Sequence, residues 1–471
     1  MLQTNDIQSL YFLGIGGIGM SALARYFKHL GYDVQGYDRT PSPLTKELEQ
    51  EGIGVQYDDT ILFLECSKHP LSIHPAHTLV VRTPAVPEDQ PIYTYFREHG
   101  YTILKRSEVL GLVTKQKKAL CVAGTHGKTT TSTILAHIMH ESHLGTNAFL
   151  GGISNNYGSN LLIDANSDFV VVEADEYDRS FHHLSPYMSV ITSIDPDHLD
   201  IYGTGDEYQK GFDIYAGLVQ EAVLLKATYQ LHPVGPHAPR IYTYIGVAGE
   251  YGNVSADFYA ENVIVEEGNL WFDFVGPSMR IRHIQLGVPV WVNIENSVAA
   301  MALAWLNGAT EDEIRRGVES YNGVYRRFNI HVKTPTITYV DDYAHHPTEL
   351  NASIQSIRKL YPERHFIVVF QPHLYTRTRD FAAGFKQVLS QSDELILLPI
   401  YPARELPIPG VVSEILMTGN QNRNECVVEK KDLVTYLDRR IRDLNKPVVV
   451  LTLGAGDIDR LVPAIAEQLS K

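Results

Sequence analysis

Cysteine, tryptophan and long apolar runs are scarce in this sequence, and it carries no excess of positive charge. Three cysteines, Cys66, Cys121 and Cys426, are spread over 471 residues. An odd, widely spaced set fits neither a disulfide framework nor a paired-cysteine metal motif, so a reducing compartment is expected. No stretch long enough to span a bilayer is free of charges, and the start MLQTNDIQSLYFLGIGG has neither a basic segment nor a cleavable apolar run. Membrane insertion and a secretory signal are therefore not expected, and the protein is read as cytoplasmic. Lys and Arg number 40 against 55 Asp and Glu, a formal charge of −15. That balance argues against a broad basic surface for nucleic acid, but not against a local pocket for a phosphorylated small molecule. Nothing in the composition decides between a monomer and a homodimer.

What is present is an ordinary globular composition, 44% hydrophobic and 20% charged, in a chain longer than one core usually supports. Short apolar runs alternate with helical patterns from about 8 to 115, the signature of a parallel sheet with crossover helices. A polar break at Lys115–Lys118 precedes a second block. That block opens on the apolar run Ala119–Ala123 and a helix from about Thr129 to Glu141, and the runs Phe169–Val172 and Ser189–Ile194 follow. Between about 240 and 290 apolar and polar residues alternate, which predicts an inserted set of antiparallel hairpins. Beyond Asn322–Gly323 a third α/β block contains the runs Ile337–Val340, Phe366–Phe370, Glu394–Leu398 and Val448–Leu451, with helices over Pro347–Leu360, Asp380–Ser390 and Ile458–Leu469. The expected fold class is α/β in three consecutive domains. These are a Rossmann-like domain over 1–115, a central P-loop domain with an antiparallel β insertion over 116–323, and a Rossmann-like domain over 324–471.

Two glycine-rich turns carry the chemistry. Gly14-Ile15-Gly16-Gly17-Ile18-Gly19 follows a strand and opens a helix, which lets a diphosphate approach the free N–H groups of the helix N-terminus. Asp38, at the end of the next strand, is placed to read a ribose hydroxyl. A nicotinamide dinucleotide and a UDP-sugar suit this turn equally. The second turn, Gly124-Thr125-His126-Gly127-Lys128-Thr129-Thr130, also lies between a strand and a helix. Its N–H groups suit phosphate oxygens, Lys128 suits the β- and γ-phosphates, and the Thr129 hydroxyl suits Mg²⁺. It departs from the usual spacing, since the first glycine of GxxxxGK[ST] would fall on Val122. Acidic clusters follow the two next strands, Glu173-Ala174-Asp175-Glu176 and Asp195-Pro196-Asp197-His198-Leu199-Asp200. They would share the sheet edge of the second turn, where carboxylates can hold Mg²⁺ against a triphosphate.

With these motifs, NIENSVAA (Asn293–Ala300), RRF (Arg326–Phe328), VDDYAHHPTE (Val340–Glu349) and FQPHLYTRTRD (Phe370–Asp380) complete a set in which the sequence resembles the Mur ligase family. Within it the likeness is greatest to the members that join L-alanine to UDP-N-acetylmuramate. The resemblance implies ATP-dependent acid–amine ligation through an acyl phosphate, with ATP and Mg²⁺ as cofactors and no nucleic-acid partner. It implies that Gly14, Gly16, Gly17, Gly19 and Asp38 bind the UDP-sugar. Gly124, Thr125, His126, Gly127, Lys128, Thr129, Thr130, Asn293, Asn296, Arg327 and Asp342 would bind ATP. Thr129, Glu173 and His198 would hold the metal, and Tyr343, His345 and Arg377 the amino acid. Lys128, His198, Arg327 and His345 would be catalytic, with His345 a base for the amine. Val292 stands where many members carry an aromatic or His, and Leu374 where many carry Arg. Lys210 offers no clear equivalent of the carbamylated lysine of later ligases. Hinges are expected near 115 and 323. A ligase recycling murein tripeptide, a nicotinamide-dependent oxidoreductase and a nucleotide-gated binding protein are the alternatives.

Overall fold

In the computed structural model, which describes residues 7–61, 73–403, 405–419 and 423–471, three sheets follow one another along the chain. Cys66 lies outside the described residues. The first sheet has five strands in the order Gly54–Gln56, Asp33–Tyr37, Ser9–Leu13, Thr78–Arg82, Thr102–Lys105, all parallel. Strand order reverses beside Ser9–Leu13, so a crevice opens at its carboxyl end, where open α/β sheets bind ligands. The turn Gly14–Gly19 lies there, and Gly17 precedes the helix Ile18–His29.

In the second sheet Lys118–Ala123 runs between Pro186–Ile191 and Phe169–Glu173, parallel to both. The sheet extends through Ala222–Lys226 and Arg240–Val247 on one side and through Asn147–Ser154 and Ser159–Leu162 on the other. Two expectations are corrected here. Arg240–Val247, expected in an antiparallel hairpin, runs parallel to Ala222–Lys226. Phe258–Glu266, Asn269–Gly276 and Met279–Gln285 are hydrogen-bonded neighbours in sequence order joined by two-residue turns, which only antiparallel strands allow. The first of these turns, Glu267-Gly268, has positive φ at both residues, the geometry that matches strand twist. The strand expected over Ser189–Ile194 ends at Ile191, because Thr192 and Ser193 turn to brace the second glycine loop.

The third sheet orders Asn329–Lys333, Ile337–Asp342, Val448–Leu453, His365–Phe370, Glu394–Leu397 and Asn424–Val427, parallel except at its first pair. Its expected helix over Asp380–Ser390 is instead Tyr375–Asp380 followed by Ala382–Leu389, broken at Phe381. The expected helix Ile458–Leu469 begins as a 3-10 turn, Asp457–Leu461, before Val462–Leu469.

By its contacts the chain divides into two units: Met1–Tyr259 with Val275–Met279 and Asn296–Val318, and Ala260–Phe274 with Arg280–Glu295 and Glu319–Lys471. In the first unit one apolar cluster runs from Leu10 to Leu231 across the first two sheets. The helix Arg106–Thr114 is pressed against Tyr177–His183 so closely that a β-carbon on Gly111 would overlap the His183 carbonyl oxygen. The expected joint near 115 therefore lies inside one packed unit, while the boundary after Val318 falls close to the joint expected near 323. The second unit is built on its own cluster, from Val332 to Leu469. Among the described residues no helix is long and apolar enough to cross a membrane.

Candidate functional site

The second glycine loop follows the apolar strand Lys118–Ala123 and leads into the helix Lys128–His140. Gly127, just before that helix, has φ 81, and Gly124 has φ 130, backbone conformations that favour glycine. A β-carbon on Gly124 would overlap Thr192 Oγ1 and lie 2.8 Å from Ser193 N. The loop is held from the neighbouring strand end: Thr192 Oγ1 donates to His126 O at 2.5 Å, and His126 N donates to Ser193 Oγ at 2.9 Å. Thr125 Oγ1 donates to Asp195 O at 2.7 Å. The loop is thus a fixed cradle.

Lys128 folds back over this cradle, donating to Gly124 O at 2.6 Å and to Glu176 Oε1 at 2.9 Å. Burial pushes the Glu176 carboxyl above the ordinary carboxylate range, with the Lys128 ammonium opposing that shift. His198 has φ 52, and its Nε2 lies 3.9 Å from Glu176 Oε1 and 3.7 Å from Asp197 Oδ2. The two acidic strand ends therefore meet at Glu176, a residue the sequence motif contains but for which composition and spacing suggest no task. Glu173 ends its strand over Gly151, where a β-carbon would overlap the Glu173 carboxylate. Among the described residues no three His, Cys, Asp or Glu side chains converge as a ready metal cage. Asn296, in the helix Trp291–Leu306, accepts from the Thr131 hydroxyl at 3.1 Å, and its Oδ1 would lie 2.8 Å from a β-carbon on Gly127. Asn293, one turn earlier in the same helix, donates to Val288 O at 3.3 Å. Val292 beside it is 43% exposed.

The first glycine turn is bound to its own sheet. Asp38 Oδ2 accepts the Gly16 N–H at 2.7 Å, so this carboxylate shapes the turn itself. A β-carbon on Gly14 would lie 2.6 Å from Thr83 Cγ2, at the end of the neighbouring strand. A cavity of about 210 Å³ joins the turn to the second sheet, lined by Gly19 and Arg106 on one side and by Gly151, Glu173 and Asp175 on the other.

The second unit gathers the remaining candidates. Arg326 is buried and donates to Gly454 O at 2.6 Å, with its Nε 3.5 Å from Asp341 Oδ2. Arg327 is more exposed, and its guanidinium sits 5.4 Å from the centre of the Tyr343 ring. The adjacent arginines thus divide into a structural and an accessible one. Asp342 accepts from the Ser353 hydroxyl. Burial pushes its carboxyl up to about 6, opposed by Ser353 and Arg327. Tyr343 packs edge-on against His345 at 5.3 Å, and His345 lies 6.1 Å from His373. Arg377 donates to His373 Nδ1 at 3.4 Å. The structure therefore brings Arg327, Tyr343, His345 and Arg377 into one cluster. His373, which lies in the motif Phe370–Asp380 without a role assigned to it, and Tyr401, which lies in no motif, stack at 5.7 Å and belong to it as well, brought together from separate strand ends. Leu374, with φ 72, starts the helix carrying Arg377 in a backbone conformation rare for a branched residue.

His345 Nδ1 faces two acceptors, Tyr343 O at 3.1 Å and Glu349 Oε2 at 3.4 Å. The proton is assigned to Nδ1 on that ground, which leaves Nε2 its lone pair. Burial holds the imidazole below its ordinary range, partly offset by Glu349, so the ring is neutral at pH 7.

Family models match the chain in three consecutive segments: the Mur ligase family catalytic domain over residues 9–118, the Mur ligase middle domain over 122–304 and the Mur ligase glutamate ligase domain over 326–456. The UDP-N-acetylmuramate–L-alanine ligase of Phocaeicola vulgatus is 50% identical over 474 residues, covering 100% of each chain. A crystal structure of a UDP-N-acetylmuramate–alanine ligase from Thermotoga maritima is similar with a TM-score of 0.78 at 27% identity, covering 98% of this chain and 100% of that one. A murein peptide ligase from Psychrobacter arcticus shares the fold, with a TM-score of 0.62 at 19% identity, covering 98% of this chain and 99% of that one.

Proposed function

The chain belongs to the Mur ligase family, and from that premise we propose that it joins L-alanine to the lactyl carboxylate of UDP-N-acetylmuramate, with ATP as phosphoryl donor, in peptidoglycan precursor synthesis. The observation that carries this reading is the braced glycine loop, with Lys128 over it and two acidic strand ends beside it, in a chain 50% identical from end to end to a ligase of that name. The nicotinamide alternative would leave this loop without a task. The tripeptide-recycling alternative rests on a likeness of fold at 19% identity.

In this reading the boundaries 1–115, 116–323 and 324–471 separate UDP-sugar, ATP and amino-acid functions. The turn of Gly14, Gly16, Gly17 and Gly19 lets the UDP-sugar diphosphate approach the leading N–H groups of the helix Ile18–His29, and Asp38, on the Gly16 N–H, holds that turn in shape. Gly124 to Thr130 cradle the triphosphate. Lys128, drawn from Glu176 towards the phosphates, and Arg327 offset the charge that builds as the carboxylate oxygen attacks the γ-phosphorus and ADP departs. Asn293 and Asn296 flank the adenine, and Asp342 faces the nucleotide. Oxygen ligands suit Mg²⁺, a cation that keeps part of its water shell and needs no closed protein cage. Thr129 and the Glu173 carboxylate over Gly151 fit it, and His198 completes the proposed set. When bound, Mg²⁺ would supply positive charge to the phosphate oxygens.

Tyr343 and Arg377 hold the amino acid. His345 Nε2 takes the proton released as the amine nitrogen bonds to the acyl carbon of the acyl phosphate and phosphate leaves. Phosphate release is the test, measured with ATP, Mg²⁺ and UDP-N-acetylmuramate while single amino acids and the murein tripeptide are added in turn. L-alanine is expected to support release; a response to the tripeptide alone would transfer the reading to the recycling reaction.

A further inference from the structure

We propose that Arg106 grips the diphosphate of the UDP-sugar, with Asp175 as its positioning residue; this rests on the reading of Gly14–Gly19 as the UDP-sugar turn. Arg106 opens the helix Arg106–Thr114 directly after the last strand of the first sheet, so its side chain starts from the same carboxyl edge as the glycine turn. A β-carbon on Gly19 would lie 2.5 Å from Arg106 Nη1, 3.2 Å from Cδ and 3.3 Å from Cζ. The guanidinium thus lies against the first turn of the helix Ile18–His29, whose leading N–H groups suit a diphosphate. Among the described residues it is the only Lys or Arg lining the 210 Å³ cavity between that turn and Glu173.

Its contact with Asp175 Oδ2, at 3.4 Å, is long and single, and the side chain is 26% exposed. One such contact orients a five-donor fork without occupying it, and a planar fork matches phosphate oxygens two at a time. Gly19 gains a second role from this packing, because any side chain there displaces Arg106.

Calorimetric titration of the full chain decides the matter, with three probes: UDP-N-acetylmuramate, UDP-N-acetylglucosamine, which lacks the lactyl carboxylate, and uridine, which lacks phosphate. Arg106→Met is expected to weaken both UDP-sugars alike, by about 10- to 100-fold, and to leave uridine unchanged. Asp175→Asn is expected to weaken them less, and the double variant to bind like Arg106→Met alone, since a positioning residue has nothing left to position. Unchanged UDP-sugar binding overturns the proposal. So does a loss confined to UDP-N-acetylmuramate, which would assign Arg106 to the carboxylate, or an equal loss for uridine, which would mark a collapsed site. No binding of either UDP-sugar by the unaltered protein would refute the reading of the turn itself.

Discussion

Gly124→Ala tests whether the second glycine loop is as tightly braced as its contacts imply. At φ 130 an alanine is strained whatever space surrounds it, and such conformations cost about 1–3 kcal/mol. The added carbon must also displace Thr192 Oγ1 and Ser193 N, the latter a backbone atom that cannot rotate away. Forcing a group into a packed site costs roughly 1–3 kcal/mol more. A sum of about 4 kcal/mol lowers the unfolding midpoint by roughly 10 °C in a unit of this size. Gly252→Ala separates the two contributions, since Gly252 has φ 66 and a β-carbon added there would meet nothing within 4 Å. It carries the backbone cost alone, about 1–2 kcal/mol. Calorimetry gives both midpoints, and titration with a non-hydrolysable ATP analogue reports the loop directly. Equal midpoint losses in the two variants, with analogue binding intact in Gly124→Ala, would refute the bracing.

Two further expectations concern protons in the second unit. Asp342 moves from 3.8 to about 6 on folding, worth about 3 kcal/mol at roughly 1.36 kcal/mol per pH unit. The unfolded chain releases this proton first, so stability falls as pH rises from about 4 to 6 and the cost is complete above that window; denaturant titrations of Asp342→Asn should show that fall removed. Because burial lowers the His345 value, the acid limb of kcat/KM should lie below the ordinary imidazole range, and His345→Gln should abolish that limb and lower kcat by about 100-fold or more.

Both glycine turns are legible in the sequence because strand, turn and helix are contiguous there, and a chain that must pass through positive φ advertises itself with glycine. Most strands of the three sheets show as short apolar runs for the same local reason. Thr192 and Ser193 read as strand, although their hydroxyls leave the ladder to support a loop some 66 residues away in sequence. Arg240–Val247 falls in the stretch read as antiparallel hairpins, yet it pairs in parallel with Ala222–Lys226, and pairing direction leaves no mark on a strand's own residues. Arg106 belongs to no motif: its place beside Gly19 is set by where two helices begin on one sheet edge. His373 and Tyr401 meet His345 only through the parallel crossovers that bring distant strand ends together.

Isotope transfer addresses the central claim, that the lactyl carboxylate is phosphorylated before the amine attacks. UDP-N-acetylmuramate labelled with ¹⁸O in that carboxylate is turned over with ATP and L-alanine, and the released phosphate is weighed by mass spectrometry. One labelled oxygen per phosphate is the expected result, while unlabelled phosphate at full turnover would contradict carboxylate activation.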